Sequence, residues 1–206
     1  MVRHFLLAVC LVVCATTGLF AQERVGGGRI EGGVFPAGAM FFSNGANDSE
    51  PGFGAYSIGG WTGYNVNRHF GLVGEFGLGI ARTQDFDLAS GRFESVKSPY
   101  VATYSGNGVW HPRGNDRAVV PYLTAGLGAL TLYKTNGAKS LGLTTDPTYL
   151  SGNAGGGVKW FLDRNWGVQA DYRLLAAKAR ESGTPFFGLN HNRFGHRIAW
   201  NIVLAR

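Results

Sequence analysis

Cysteine is nearly missing: Cys10 and Cys14 are the two in the chain, both close to the start. Everything after them can form neither a disulfide nor a thiolate metal site. The five histidines are scattered, without the spacing of a metal centre, so no metal and no cofactor is expected. Beyond the first twenty or so residues no apolar run reaches the roughly 20 residues of a membrane-crossing helix. Charged residues are sparse at 16%, and although the net charge is +6 the basic ones form no dense stripe. That argues against nucleic acid as a partner. Phosphate-loop order is absent from Asn136-Gly137-Ala138-Lys139-Ser140. The Gly-x-Gly pairs open no helix, so they are not nucleotide loops.

What is present begins with a leader. Arg3 and His4 precede an apolar core from Phe5 to Val13, then small residues, then Ala21 before Gln22. This reads as a secretory signal peptide over 1–21. The run is short for a helical anchor. A lipidation reading at Cys14 would want a small residue where Val13 stands.

Glycine is abundant, with 33 residues that follow no collagen period. They sit inside alternating stretches, where they argue against helix. From Phe70 to Ile80 one face reads Phe, Leu, Gly, Phe, Leu, Ile and the other Gly, Val, Glu, Gly, Gly. From Trp166 to Leu175 an apolar face alternates with Gly167, Gln169, Asp171 and Arg173. The last segment alternates Ile198, Trp200, Ile202 and Leu204 with Arg197, Ala199, Asn201 and Val203. A period of two means strands with one apolar face.

Eight strands are expected, at about 28–40, 53–66, 70–82, 98–111, 119–133, 148–161, 166–178 and 195–205. Short connections at Asn67-Arg68-His69, 112–117 and Asp163-Arg164-Asn165 alternate with long ones at 41–52, 83–97, 134–147 and 179–194. The long ones read as solvated loops, rich in Gly, Asn, Asp, Ser and Thr. Strict alternation of short and long is the pattern of an outer-membrane barrel with periplasmic turns and external loops, both termini periplasmic. The segment from Val66 to Phe76 echoes that from Leu162 to Tyr172: tight turn, aromatic, Gly, then alternation with an inward acid. The echo relates strands on opposite walls and sets Phe70 and Trp166 at one depth.

The leader, the glycine-rich strands, Val66-Asn67-Arg68-His69-Phe70-Gly71, Val120-Pro121-Tyr122-Leu123-Thr124-Ala125-Gly126 and the terminal alternating strand resemble the OmpA/OmpX-like outer-membrane β-barrel superfamily. The resemblance spans 22–206. It implies an all-β, eight-stranded, antiparallel up-and-down transmembrane barrel in the outer membrane. Its implied partners are outer-membrane lipids, lipopolysaccharide and, during biogenesis, the barrel-assembly machinery. That machinery usually reads a terminal aromatic, where this chain has Arg206. No peptidoglycan-binding domain is expected after the barrel.

A barrel this narrow is filled by side chains. The expected inward polar set is Glu75, Asp171, Arg173, Lys159, Arg197 and Gln169, with Asn107 and Asn201. Isolated buried charge is costly, so Arg173, Lys159 and Arg197 are expected to meet Glu75 and Asp171. Aromatics Phe70, Trp110, Trp160, Trp166 and Trp200, with Tyr64, Tyr100 and Tyr133, are expected to anchor at the membrane interfaces.

Catalysis needs a nucleophile beside a base with an orienting acid. His191 and His196 are five apart, off a common strand face, with no Ser between them. Ser105 and His111 share a face but lie too far apart to touch. The leading expectation is a non-enzymatic barrel that is structural or displays surface loops, its external ligand unknown. The alternatives are a ligand- or host-binding surface barrel, a lipid A-modifying enzyme, and a soluble periplasmic barrel holding an apolar ligand.

Overall fold

A computed structural model describes residues 28–43, 51–87, 93–180, 184, 186–187 and 191–206. The expected signal peptide, 1–21, lies outside them, as do parts of three long loops.

Period-two alternation produces β1 (Ile30–Phe42), β2 (Phe53–Asn65) and β3 (Phe70–Ala81). A short hairpin follows, β4 (Thr83–Asp87) and β5 (Phe93–Lys97). Then come β6 (Tyr100–Trp110), β7 (Val119–Tyr133), the one-turn α1 (Asn136–Ser140), β8 (Thr148–Phe161), β9 (Trp166–Ala177) and β10 (Arg193–Ala205). The eight long strands close into one antiparallel barrel in the order β1-β10-β9-β8-β7-β6-β3-β2. Closure runs through β1 and β10, with Val34 opposite Ile202 and Met40 opposite Arg197. β3 and β9 stand four strands apart around this ring, on opposite walls.

Two long connections differ from the solvated loops expected of them. The stretch 83–97 forms the β4–β5 hairpin, and 134–147 begins with α1. Thr135 links the two. Its hydroxyl accepts from the Ala138 amide at 3.1 Å and donates to the Lys97 carbonyl at 2.6 Å. It thus satisfies an orphan amide of α1 and ties that loop to the hairpin.

The short turns use side chains as local acceptors. Asn67 Oδ1 takes the amides of His69 and Phe70, at 2.8 and 2.9 Å. Asp163 Oδ1 takes the Asn165 amide at 2.6 Å. This is one Asx device at the two echoed positions.

β1 changes phase midway. Its register shifts between Val34 and Ala37, where Pro36 has no amide to offer. Glu31 and Phe35 therefore point inward before the shift, and Met40 and Phe42 after it.

The wall coils tightly enough to exclude side chains at some inward positions. A Cβ on Gly126 would overlap Asn107, and one on Gly128 would overlap the Tyr104 carbonyl.

The interior is apolar near the loops, contrary to a small or charged lining throughout. Met40, Phe42, Phe53, Val101, Leu130, Leu132, Tyr149 and Leu175 line it there. Phe86 from the hairpin, Ala138 and Leu143 from the α1 loop, and Phe186 and Phe187 from the last loop pack onto them. The Phe42 ring stacks on Phe53 at 5.0 Å and meets Phe187 edge-on at 5.0 Å. A smaller cluster of Phe35, Trp61, Ala199 and Val203 lies toward the turns.

Candidate functional site

Between these apolar layers the lumen carries charge. Arg173 and Arg197 each contact both Glu75 and Asp171. Arg197 reaches Glu75 at 2.5 Å and Asp171 at 3.2 Å. Arg173 reaches Glu75 at 3.2 Å and Asp171 at 3.1 Å. All four side chains are almost wholly buried. Opposite walls are thereby joined, since Glu75 comes from β3 and the other three from β9 and β10.

Neutral groups extend the network. Tyr122 donates to Asp171 at 2.6 Å and accepts from Gln169 at 2.8 Å. Arg173 also donates to Asn153 at 2.8 Å, Asn153 to Asn107 at 2.8 Å, and Asn107 to Ser105 at 3.0 Å. The Arg197 guanidinium lies 4.9 Å over the Phe35 ring. A cavity of about 20 Å³ remains beside Glu75, Arg173 and Arg197, room for about one water.

Lys159 does not meet Glu75 or Asp171. It pairs with Glu31 nearer the turns, where Asn65 also donates to Glu31 at 2.8 Å. Its ammonium lies 5.2 Å from the Trp61 ring and 5.5 Å from that of Tyr122. Trp61 donates to Asn201 at 3.1 Å. Sequence reasoning missed Glu31, Trp61 and Tyr122. An acid two residues into the first strand was the available signal for Glu31, masked by the phase change at Pro36.

His111, just past β6, is buried. Burial first, then the charge of Lys159, push its pKa down to about 4. Ser105 is held by Asn107, and no histidine is hydrogen-bonded to it among the described residues. Arginines locked on carboxylates can bridge walls and fix charge in place; they offer no free nucleophile.

The outer wall is the inverse of the lumen. At the turn end Tyr64, Phe70, Trp110, Trp160 and Trp166 are all exposed. At the loop end stand Phe41, Tyr56, Tyr100, Tyr133 and Phe194. Between them Leu72, Leu123, Leu127, Leu150, Leu174, Ile198 and Ile202 are bare. Trp200 belongs to this middle band and not to the turn-end ring. It lies five residues in from the end of β10, about 12 Å deeper at about 3.3 Å per residue and a strand tilt near 40°. Polar groups on this wall are paired: Tyr172 Oη and His196 Nδ1 lie 2.7 Å apart and satisfy each other.

Apolar surface this continuous does not suit a soluble barrel. Two aromatic rings enclosing an aliphatic band form the profile of a barrel in lipid.

Known proteins agree. Residues 5–197 match the family model described as outer membrane protein beta-barrel domain. Among solved structures, Neisserial surface protein A aligns with a TM-score of 0.56 at 13% identity, over 88% of this chain and 99% of that one. The N-terminal barrel of Pseudomonas aeruginosa OprF gives 0.49 at 16% identity, over 86% and 98%. OprG from the same organism gives 0.46 at 13% identity, over 90% and 97%. No curated sequence matches. The chain belongs to the outer membrane protein beta-barrel domain family and resides in the outer membrane.

Proposed function

We propose that this protein is a non-enzymatic barrel with a closed lumen, which contributes to outer-membrane architecture and presents four loops outward as a folded cap. The observation that carries this reading is the filling of the lumen along its length. Apolar side chains occupy it under the loops, a balanced ion network the middle, and the Glu31–Lys159 pair the turn end. A cavity of about 20 Å³ remains beside Glu75, Arg173 and Arg197. Side-chain-filled interiors are expected of eight-stranded barrels.

In this reading the turns and both termini are periplasmic, and the barrel-assembly machinery inserts the chain although Arg206 stands at its end. Reconstitution in planar bilayers tests the closed lumen: no stable conductance step is expected, and a persistent open level would refute it. Lipid A mass spectra from cells with and without the protein are expected to match. A difference confined to acyl chains would establish an enzyme instead. Protease added to intact cells is expected to cut within 134–147 or 179–194. Cutting confined to 66–70 or 162–166 would invert the topology.

A further inference from the structure

Trp200 projects from the acyl band, away from the aromatic rings at either end of the wall. It is 62% exposed on β10, beside Ile198 and Ile202 and next to Val34 of β1, which stands opposite Ile202. Tryptophan favours the membrane interfaces, where its N–H finds an acceptor. Acyl chains offer no acceptor, and an unmet donor among them is costly.

A hollow lies on the far wall. Three outward positions there are glycine, Gly74 on β3 and Gly106 and Gly108 on β6. They leave an open groove of about 650 Å³, rimmed by Ile30, Tyr64 and Leu72. A Cβ on Gly74 or Gly106 would meet nothing within 4 Å. Gly74 pairs with Gly106 on one side and with Thr62 of β2 on the other. The exposed Thr62 brings a hydroxyl to the groove.

Knob and hollow share a depth. Gly74 is four residues in from Phe70, and Trp200 is opposite Ala170, four residues in from Trp166. Each is thus about 10 Å from the turn-end aromatics, at about 3.3 Å per residue and a tilt near 40°. Around the ring β10 is three strands from β3 and four from β6. The two features therefore face nearly opposite ways.

We propose that the groove over Gly74, Gly106 and Gly108 seats Trp200 of a second copy of this chain, inserted side by side in the same membrane. Association in lipid is driven by close packing and shared hydrogen bonds, and small residues permit the approach. The Thr62 hydroxyl gives the indole N–H its acceptor at the right depth. An acyl chain fills the groove without meeting that donor. The indole contributes roughly 150–250 Å². Its neighbours bring the contact to the order of 1,000 Å², the low end for a specific interface, so pairing is reversible and grows with density in the membrane. A two-fold axis along the membrane normal would bring identical faces together and cannot join knob to hollow. The contact is head-to-tail, and each copy keeps a free knob and a free hollow, so copies add in rows.

The full mature barrel, refolded into preformed vesicles, tests this. Its cysteines lie in the expected leader, so Lys139→Cys on the exposed α1 provides one labelling site. Energy transfer and photobleaching steps are read across a protein-to-lipid series. The wild-type barrel is expected to pair and to give species of more than two copies at high density. Trp200→Ala removes the knob and Gly74→Leu fills the hollow. Each is expected to weaken pairing by about tenfold. Thr62→Val, which removes the acceptor, is expected to weaken it about threefold. Heat-modifiable gel mobility verifies folding, and Gly106→Leu fills the same groove where Gly74→Leu does not fold.

Mixing is the decisive arm. Trp200→Ala keeps its hollow and the groove-filled variant keeps its knob, so together they are expected to form pairs that stop at two copies. A wild-type barrel that stays monomeric throughout the series would overturn the proposal. So would wild-type pairing by folded Trp200→Ala or by the folded groove-filled variant. A mixture that stays monomeric, or one that grows past two copies, would overturn it as well.

Discussion

Glu75→Gln tests the lumen network most directly. In the native barrel Arg173 and Arg197 face Glu75 and Asp171, two charges against two. The variant leaves two guanidinium groups on one carboxylate. Arg197 is hurt most. It loses its 2.5 Å contact and keeps Asp171 at 3.2 Å, while its Nε has no partner to begin with. Arg173 keeps Asp171 at 3.1 Å and Asn153 at 2.8 Å. Removing one partner from a buried pair costs about 3–5 kcal/mol, and the retained contacts place Glu75→Gln near the lower end.

With a urea slope of about 2 kcal/mol per M, a loss of about 3 kcal/mol moves the unfolding midpoint down by about 1.5 M. Folded fraction in lipid vesicles, read by heat-modifiable mobility across urea, measures it. The double variant Glu75→Gln/Arg197→Gln restores charge balance around Arg173 and Asp171. It should be less destabilised than the sum of its parts by about 2 kcal/mol, the coupling expected within one network. Lys134→Gln, on a half-exposed pair at 4.0 Å, serves as the control, with an effect below about 0.5 kcal/mol. A Glu75→Gln shift as small as that control, or strict additivity of the double variant, would refute the network as described.

Three further outcomes follow from the same structure. His111 has a folded pKa of about 4 against an ordinary 6.5. As pH falls below 6.5 the unfolded chain takes up a proton that the folded barrel refuses, so stability drops until about pH 4 and then levels. The difference, at most about 3 kcal/mol, should vanish in His111→Gln across the same urea–pH series. Gly128→Ala places a Cβ into the Tyr104 carbonyl, whereas Gly74→Ala, on the outward face, meets nothing within 4 Å. The first should block refolding into vesicles, and the second should be neutral or stabilising by up to about 1 kcal/mol. Phe187→Ala removes a ring that touches Phe42, Phe53 and Tyr149. It should speed proteolysis of the last long loop while the barrel band on the gel is retained.

The wall was legible because one rule acts along its length: every second residue meets acyl chains and must be apolar. The lumen obeys no such single rule. Arg173 and Asp171 share a face two residues apart, so their pairing is local and readable. Glu75 joins them by crossing the barrel, and that contact depends on register around the ring. Glu31 was hidden by Pro36. Counting back in twos from Met40 puts Glu31 on the lipid side, and the bulge brings it inside to Lys159. The cap was misread because Phe86, Leu143, Phe186 and Phe187 sit singly or in a pair among polar loop residues. The Phe186-Phe187 doublet was the one sequence sign that the last loop folds back onto the barrel.

The network has a second consequence, for register. A slip of one residue in β9 or β10 would turn Asp171 and Arg173, or Arg197, into the acyl band and bring apolar neighbours into the lumen. Lipid-facing arginine alone costs about 2–4 kcal/mol at mid-depth, and the stranded partners inside would add to it. A buried network of this kind is often no more stabilising than a well-packed apolar set of equal volume. Its effect falls on the competing registers, each of which must place a charge in lipid. The clean Arg193–Ala177 through Leu204–Trp166 ladder between β10 and β9, with no shift along it, is where that discrimination acts. The strand β1, which itself contributes no residue to the four-membered network, is where the irregularity is tolerated.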